Sequence, residues 1–147
     1  MSGARRSAGR GAVALLALFL GACGASQDPI DARRGQWLLI NYWAEWCKPC
    51  IHEVPELNAI DARDGYAVLG VNYDGETGAA LAAQVDKLGI AFPTLDLDPA
   101  PRFAVARPQV LPTTLVVDPR GQLQQVLVGP QTQDTLLAAT GAAASGD

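Results

Sequence analysis

Trp43-Ala44-Glu45-Trp46-Cys47-Lys48-Pro49-Cys50 is the stretch whose reading decides the fold. Two cysteines stand two residues apart, directly after an apolar run from Trp37 to Trp43. Pro49 follows Cys47 by two positions, where a helix can begin, because its missing N–H is not needed in a first turn. A cysteine pair between a strand-like run and a helix start reads as a redox pair rather than a structural staple.

Working outward, the run Trp37-Leu38-Leu39-Ile40-Asn41-Tyr42-Trp43 is nearly continuous in apolar and aromatic residues. That pattern suits a strand buried on both faces of a parallel or mixed sheet. After the cysteines the sequence predicts a helix from about Lys48 to Ala62, with Ile51, Val54, Leu57 and Ile60 on one apolar face and a kink at Pro55. Tyr66 to Tyr73 is a second buried-type strand, and Ala79 to Leu88 a second helix stopped by Gly89. Ala91 to Leu97 is a weaker strand, placed at an edge or a strand start by Pro93. Pro99 to Ala106 holds one or two helical turns. Thr113 to Val117 and Gln122 to Val128, joined by Asp118-Pro119-Arg120-Gly121, predict a β-hairpin, and Thr132 to Thr140 a last short helix. Alternating strands and helices followed by an antiparallel pair define an α/β sandwich of three layers with a mixed central sheet.

The chemistry follows from position. At a helix N-terminus the unpaired N–H groups and the helix dipole favour negative charge. Cys47 sits there, so its thiol is expected to ionise readily and act as the nucleophile, with Lys48 adding positive charge nearby. Cys50, one turn in and more buried, is expected to be the resolving thiol.

The N-terminus carries an address. Arg5, Arg6 and Arg10 precede an apolar run, Ala12 to Leu20, that is too short to span a bilayer comfortably. Leu20-Gly21-Ala22-Cys23 resembles the bacterial lipobox, which implies cleavage before Cys23 and lipidation of Cys23. A plain signal peptide with an incidental cysteine is the alternative. Expected units are a signal peptide at 1–22, a lipidated tether at 23–34, a domain at 35–141 and a flexible tail at 142–147. Loss of 1–22 removes three arginines and no acid, and moves the formal net charge from −4 to −7. Acyl chains rather than charge must then hold the protein to an anionic membrane.

The octet around the cysteines looks like the thioredoxin active site. Its continuation, Ile51-His52-Glu53-Val54-Pro55-Glu56-Leu57, resembles the membrane-anchored thioredoxin-like reductases of the TlpA/ResA type. Leu111-Pro112-Thr113-Thr114-Leu115-Val116-Val117-Asp118 resembles the cis-proline loop and following strand of that family. The resemblance covers about residues 35–129. It implies a thioredoxin-like fold and a cis Leu111–Pro112 bond lying against the cysteine pair. It further implies client binding at Trp46, Leu111 and Thr113, and a catalytic site of Cys47, Cys50, Glu53 and Pro112 whose only redox group is the Cys47–Cys50 disulfide, with no bound cofactor. Thioredoxin has a buried acid where this chain has Asn41, which cannot take a proton. Glu53, three residues after Cys50, matches the TlpA/ResA glutamate and is expected to take that role; a solvent-facing Glu53 that only supports the helix is the alternative. Glu45 is the weaker candidate.

Several classes are disfavoured. The charged fraction is 18% and no basic stripe is present, so nucleic acid is not an expected partner. His52 is the single histidine, and the single methionine is the start residue. That supply is too small for a structural zinc site and thin for a copper-handling thioredoxin-fold metallochaperone, so no metal is expected. A disulfide-forming oxidase is the other rival, but Lys48-Pro49 lacks the histidine that the resemblance associates with strong oxidants. The preferred reading is a protein-disulfide reductase outside the cytoplasm. Its expected partners are disulfide-containing client proteins and a membrane thiol donor of the DsbD/CcdA type. The chain is read as a monomer, lipid-anchored on the periplasmic side of a membrane. The outer membrane is favoured over the inner because Gly24, not aspartate, follows Cys23. Cytochrome c maturation is a client process that the resemblance brings into consideration.

Overall fold

The computed structural model describes residues 28–141 together with Met1. Apart from Met1, the signal-like segment 1–22, the lipidation candidate Cys23 and the tail 142–147 lie outside the described residues.

Five strands and three helices follow one another in the expected order: β1 (Trp37–Trp43), α1 (Lys48–Asp61), β2 (Tyr66–Asn72), α2 (Gly78–Leu88), β3 (Thr94–Leu95), β4 (Thr113–Val117), β5 (Leu123–Val128) and α3 (Gln133–Ala139). Short 3-10 turns occupy Asp31–Arg33 and Ala100–Phe103. The sheet order is β3-β2-β1-β4-β5. β1 and β2 run parallel, as do β2 and β3, while β4 lies antiparallel to both β1 and β5. This is the mixed sheet that the alternation of elements predicts, in the thioredoxin-like arrangement that the resemblance implies. β3 is reduced to two residues at the sheet edge, because Pro93 cannot donate to a ladder.

β1 explains why the sheet is covered on both sides. Leu39 and Trp43 point into one core cluster, and Leu38, Ile40 and Tyr42 into the other. The first cluster receives Val54, Leu57 and Ile60 of α1 and Leu136 and Leu137 of α3, with Leu81, Val85 and Leu88 of α2 packed at its margin. Two successive right-handed crossovers stepping in the same direction put α1 and α2 on the same face. Among the described residues the opposite layer contains no α-helix. Ile30, Phe103, Val105, Leu111 and Leu123 cover that face from turns, loops and the hairpin.

Two expectations change. The tether was expected at 23–34, and its described part, residues 28–34, is docked on the domain. Ile30 is buried in the second cluster, and Arg102 pairs with both Asp28 and Asp31. One apolar residue in a polar stretch is a weak signal in sequence, and its ionic partner is some seventy residues away. The face of α1 also turns. It buries Cys50, Glu53, Val54, Leu57 and Ile60, while Ile51 is only half-buried. At 3.6 residues per turn, a three-residue repeat precesses by about 60° per step, so Ile51 and Ile60 cannot share one face.

Gly70 on β2 is a position where only glycine fits. A Cβ there would stand 2.7 Å from Trp43 Nε1 and 3.0 Å from Thr94 Oγ1. The absent side chain lets the large Trp43 ring lie flush against β2, next to the end of β1 from which the cysteine loop departs.

Candidate active site

The site is assembled where β1 ends. After Trp43 the chain turns, and Cys47 becomes the N-cap of α1, with Cys50 N–H donating to Cys47 Sγ over 3.3 Å. The two cysteines form a disulfide. Both are buried, while Trp46, Lys48 and Pro49 around them are exposed. The N–H that reaches Sγ in the disulfide stands ready to stabilise a Cys47 thiolate once the pair is reduced, as helix N-termini do for anions.

Trp46 is pinned at the surface by Nε1–H donating to Asp74 Oδ2 over 2.9 Å. Glu45 is engaged by Lys87 of α2 at 2.6 Å, in an exposed ion pair. That contact gives Glu45 a role in holding the active-site turn to α2 and leaves it no evident part in proton transfer. His52 points to solvent from α1, and no group of three or more candidate metal ligands occurs among the described residues.

The Leu111–Pro112 peptide is cis. In the antiparallel register Tyr42 faces Thr113, so Pro112 falls beside Trp43, at the end of β1 from which the cysteine loop departs. Pro112 is buried, and its carbonyl accepts Gly129 N–H at 2.9 Å. Leu111 packs against the cluster that contains both cysteines. Thr113 is buried, and its hydroxyl donates to Val110 O at 2.8 Å, so its side chain is committed within the loop.

Glu53 lies one turn beyond Cys50 on the buried stripe of α1 and is 2% exposed. Asn41 Nδ2 donates to Glu53 Oε2 at 3.1 Å and also lies 3.0 Å from Thr114 Oγ1, the hydroxyl of its cross-strand partner on β4. Gln131 N–H donates to Glu53 Oε1 at 2.9 Å. Burial pushes the Glu53 carboxyl up to about 7, against these two hydrogen bonds, which favour the ionised form. A carboxyl poised near neutrality beside a thiol pair can accept and return a proton. The expectation that Asn41 leaves its position without an acid therefore needs completing, because Asn41 brings the Glu53 carboxylate to it. The residues that the sequence did not single out are Gln131 and Thr114. Gln131 acts through its backbone, which no residue type announces.

A disulfide capping a helix beside a cis-proline loop, on a mixed five-stranded sheet, defines a thioredoxin-like dithiol domain. The chain belongs to the AhpC/TSA family, which it matches over residues 25–126. Among curated proteins it is similar to the thiol-disulfide oxidoreductase ResA of Geobacillus kaustophilus. The two are 32% identical over 107 residues, covering 70% of this chain and 60% of the relative. It is equally similar, at 32% over 107 residues, to the thiol:disulfide interchange protein HelX of Rhodobacter capsulatus, with 72% and 60% covered. The chain thus spans about 60% of the length of these relatives. Among solved structures, a DsbF homologue from Corynebacterium diphtheriae superposes with a TM-score of 0.65 at 23% identity, over 75% of this chain and 73% of that one. That likeness concerns the fold.

Proposed function

We propose that this protein is a thiol-disulfide oxidoreductase that reduces disulfides in client proteins. The observation that carries the reading is the Cys47–Cys50 disulfide at the start of α1 with the buried Glu53 carboxyl one turn further on. Its relatives bear the names of thiol-disulfide oxidoreductases and interchange proteins, which supports the same class of reaction.

In the reduced protein, Cys47 thiolate attacks one sulfur of the client disulfide. A Cys47–client bond forms, the client S–S bond breaks, and the leaving client thiolate takes a proton from solvent. Cys50 then loses its proton to Glu53 and attacks Cys47 Sγ. The Cys47–Cys50 bond closes, and the second client sulfur leaves as thiolate. Two electrons have passed to the client, and a dithiol donor must restore the pair. A membrane donor of the DsbD/CcdA type suits a pair working in an oxidising compartment.

The address belongs to the same proposal. The lipobox-like Leu20-Gly21-Ala22-Cys23 supports a lipidated Cys23 and a location outside the cytoplasm, with the outer membrane favoured. No helix among the described residues is long and apolar enough to cross a membrane. Metabolic labelling with a radioactive fatty acid should mark the wild type and not Cys23→Ala.

The decisive experiment is reduction of a model protein disulfide by the purified protein with a small dithiol as donor. Cys47→Ser is expected to abolish turnover, whereas Cys50→Ala should accumulate mixed disulfides on Cys47 whose partners mass spectrometry identifies. Undiminished turnover in Cys47→Ser would sink the mechanism.

A further inference from the structure

Glu53 is held from outside its own helix, and the holders lie on two elements remote in sequence. Asn41 on β1 reaches one carboxylate oxygen, and the backbone N–H of Gln131, in the segment between β5 and α3, reaches the other. The Gln131 segment is itself fixed at both ends. Gly129 N–H donates to the carbonyl of Pro112, and Gln133 N–H, in the first turn of α3, donates to Glu56 Oε2 at 2.9 Å. Three residues therefore connect the carbonyl of the cis proline to the carboxylate one turn beyond Cys50. The carboxylate has two acceptor oxygens, and each is met by one fixed donor, an arrangement that sets its direction as well as its charge.

We propose that Asn41 and the Gln131 backbone N–H are positioning residues for Glu53, tying the proton acceptor of the resolving step to the cis-proline side of the site. The inference rests on the reading of Glu53 as that acceptor. Few other groups can take part. Besides the two donors, Thr114 on β4 faces the network through Asn41, and neither it nor Asn41 carries a charge. Cys47 and Cys50 share the adjoining core cluster. Glu56, on the next turn of α1, is occupied by Gln133 N–H, and Asp134 of α3 is exposed.

Both donors stabilise the ionised carboxylate, so losing either raises the pH at which Glu53 gives up its proton. A hydrogen bond to a charged group corresponds to a shift of about 1 to 2 pH units. The test uses Gln131→Pro, which deletes the N–H, against Gln131→Ala, which keeps it. The reading is the pH dependence of client reduction by the full chain, together with the NMR titration of the Glu53 carboxyl carbon. Gln131→Pro should move both midpoints upward by that amount, and Gln131→Ala should leave both at the wild-type position. Superimposable curves for Gln131→Pro and wild type overturn the proposal, and so does an equal shift in Gln131→Ala. Circular dichroism first checks that Gln131→Pro is folded. If it is not, Asn41→Ala carries the same expectation, and an unmoved midpoint there overturns the proposal. The NMR titration needs no turnover, so a chain that reduces no disulfide would defeat the proposed function while this test still gives its answer.

Discussion

The two faces of the sheet are held by different means. The helix face closes over Leu39, Trp43, Val54, Leu57, Ile60 and Leu136, and Glu53, the one buried acid among the described residues, is met by two directed donors. The opposite face is closed by a turn at residues 31–33, a second turn at 100–103 and the loop that follows. Its polar fastenings are exposed pairs of Arg102 with Asp28 and Asp31, and of Arg107 with Asp98. Tyr42, fully buried on this face, adds a hydroxyl donating to Asp98 at 2.7 Å. The cysteine pair shares the face on which a carboxyl is dry and fixed, and burial there raises the pH at which that carboxyl ionises. The face closed by solvent-screened pairs serves as cover.

Three substitutions test that contrast. Leu57→Ala empties a fully buried site under α1 and should lower unfolding free energy by about 2–5 kcal/mol, read as a fall in denaturant midpoint. A cost no larger than that of an exposed position would show that the helix face is not the tighter core.

Glu53→Gln comes next. With its pKa raised from 4.5 to about 7, wild-type Glu53 keeps a proton in the folded state that the unfolded chain has already released. Stability from this group is therefore complete below the lower value, declines as pH rises between the two, and stays reduced above the higher one. The full decline is about 3 kcal/mol. Glu53→Gln removes it, so the stability difference between wild type and variant should drift against wild type by about that amount across the window. A difference independent of pH would mean the carboxyl is not buried in its neutral form. Any constant offset reflects the amide facing two donors.

Arg102→Ala should have the smallest effect. It releases Asp28 and Asp31, and of these it is the Asp31 carboxyl that Arg102 holds below the usual range, mainly through a hydrogen bond. The expected result is a fall in melting temperature of a few degrees at most, suppressed by high salt. A loss as large as that of Leu57→Ala would place real weight on the second face.

Local patterns made much of this legible in sequence. The cysteine pair, Pro49 and the buried-type strands each signal through neighbouring residues, and the cis Leu111–Pro112 bond followed from the resemblance of its flanking stretch. What stayed hidden was tertiary. Glu53 meets Asn41 twelve residues away and Gln131 seventy-eight residues away, the latter through a backbone group that every non-proline residue owns. The docked segment before residue 35 was hidden for the same reason, with its partner Arg102 lying beyond two crossovers. The apolar repeat of α1 suggested a stripe through Ile51, but helical geometry gave that place to Cys50 and Glu53.

α2 contributes no fully buried residue, and yet Lys87 near its end holds Glu45 in the turn that carries Cys47. A helix fastened only by half-covered side chains opens more readily than one rooted in the core, so its amides will exchange with deuterated solvent well before those of α1. Each such opening frees the turn from one of its moorings. The least buried helix of the domain thus adjoins the sulfur proposed as the nucleophile.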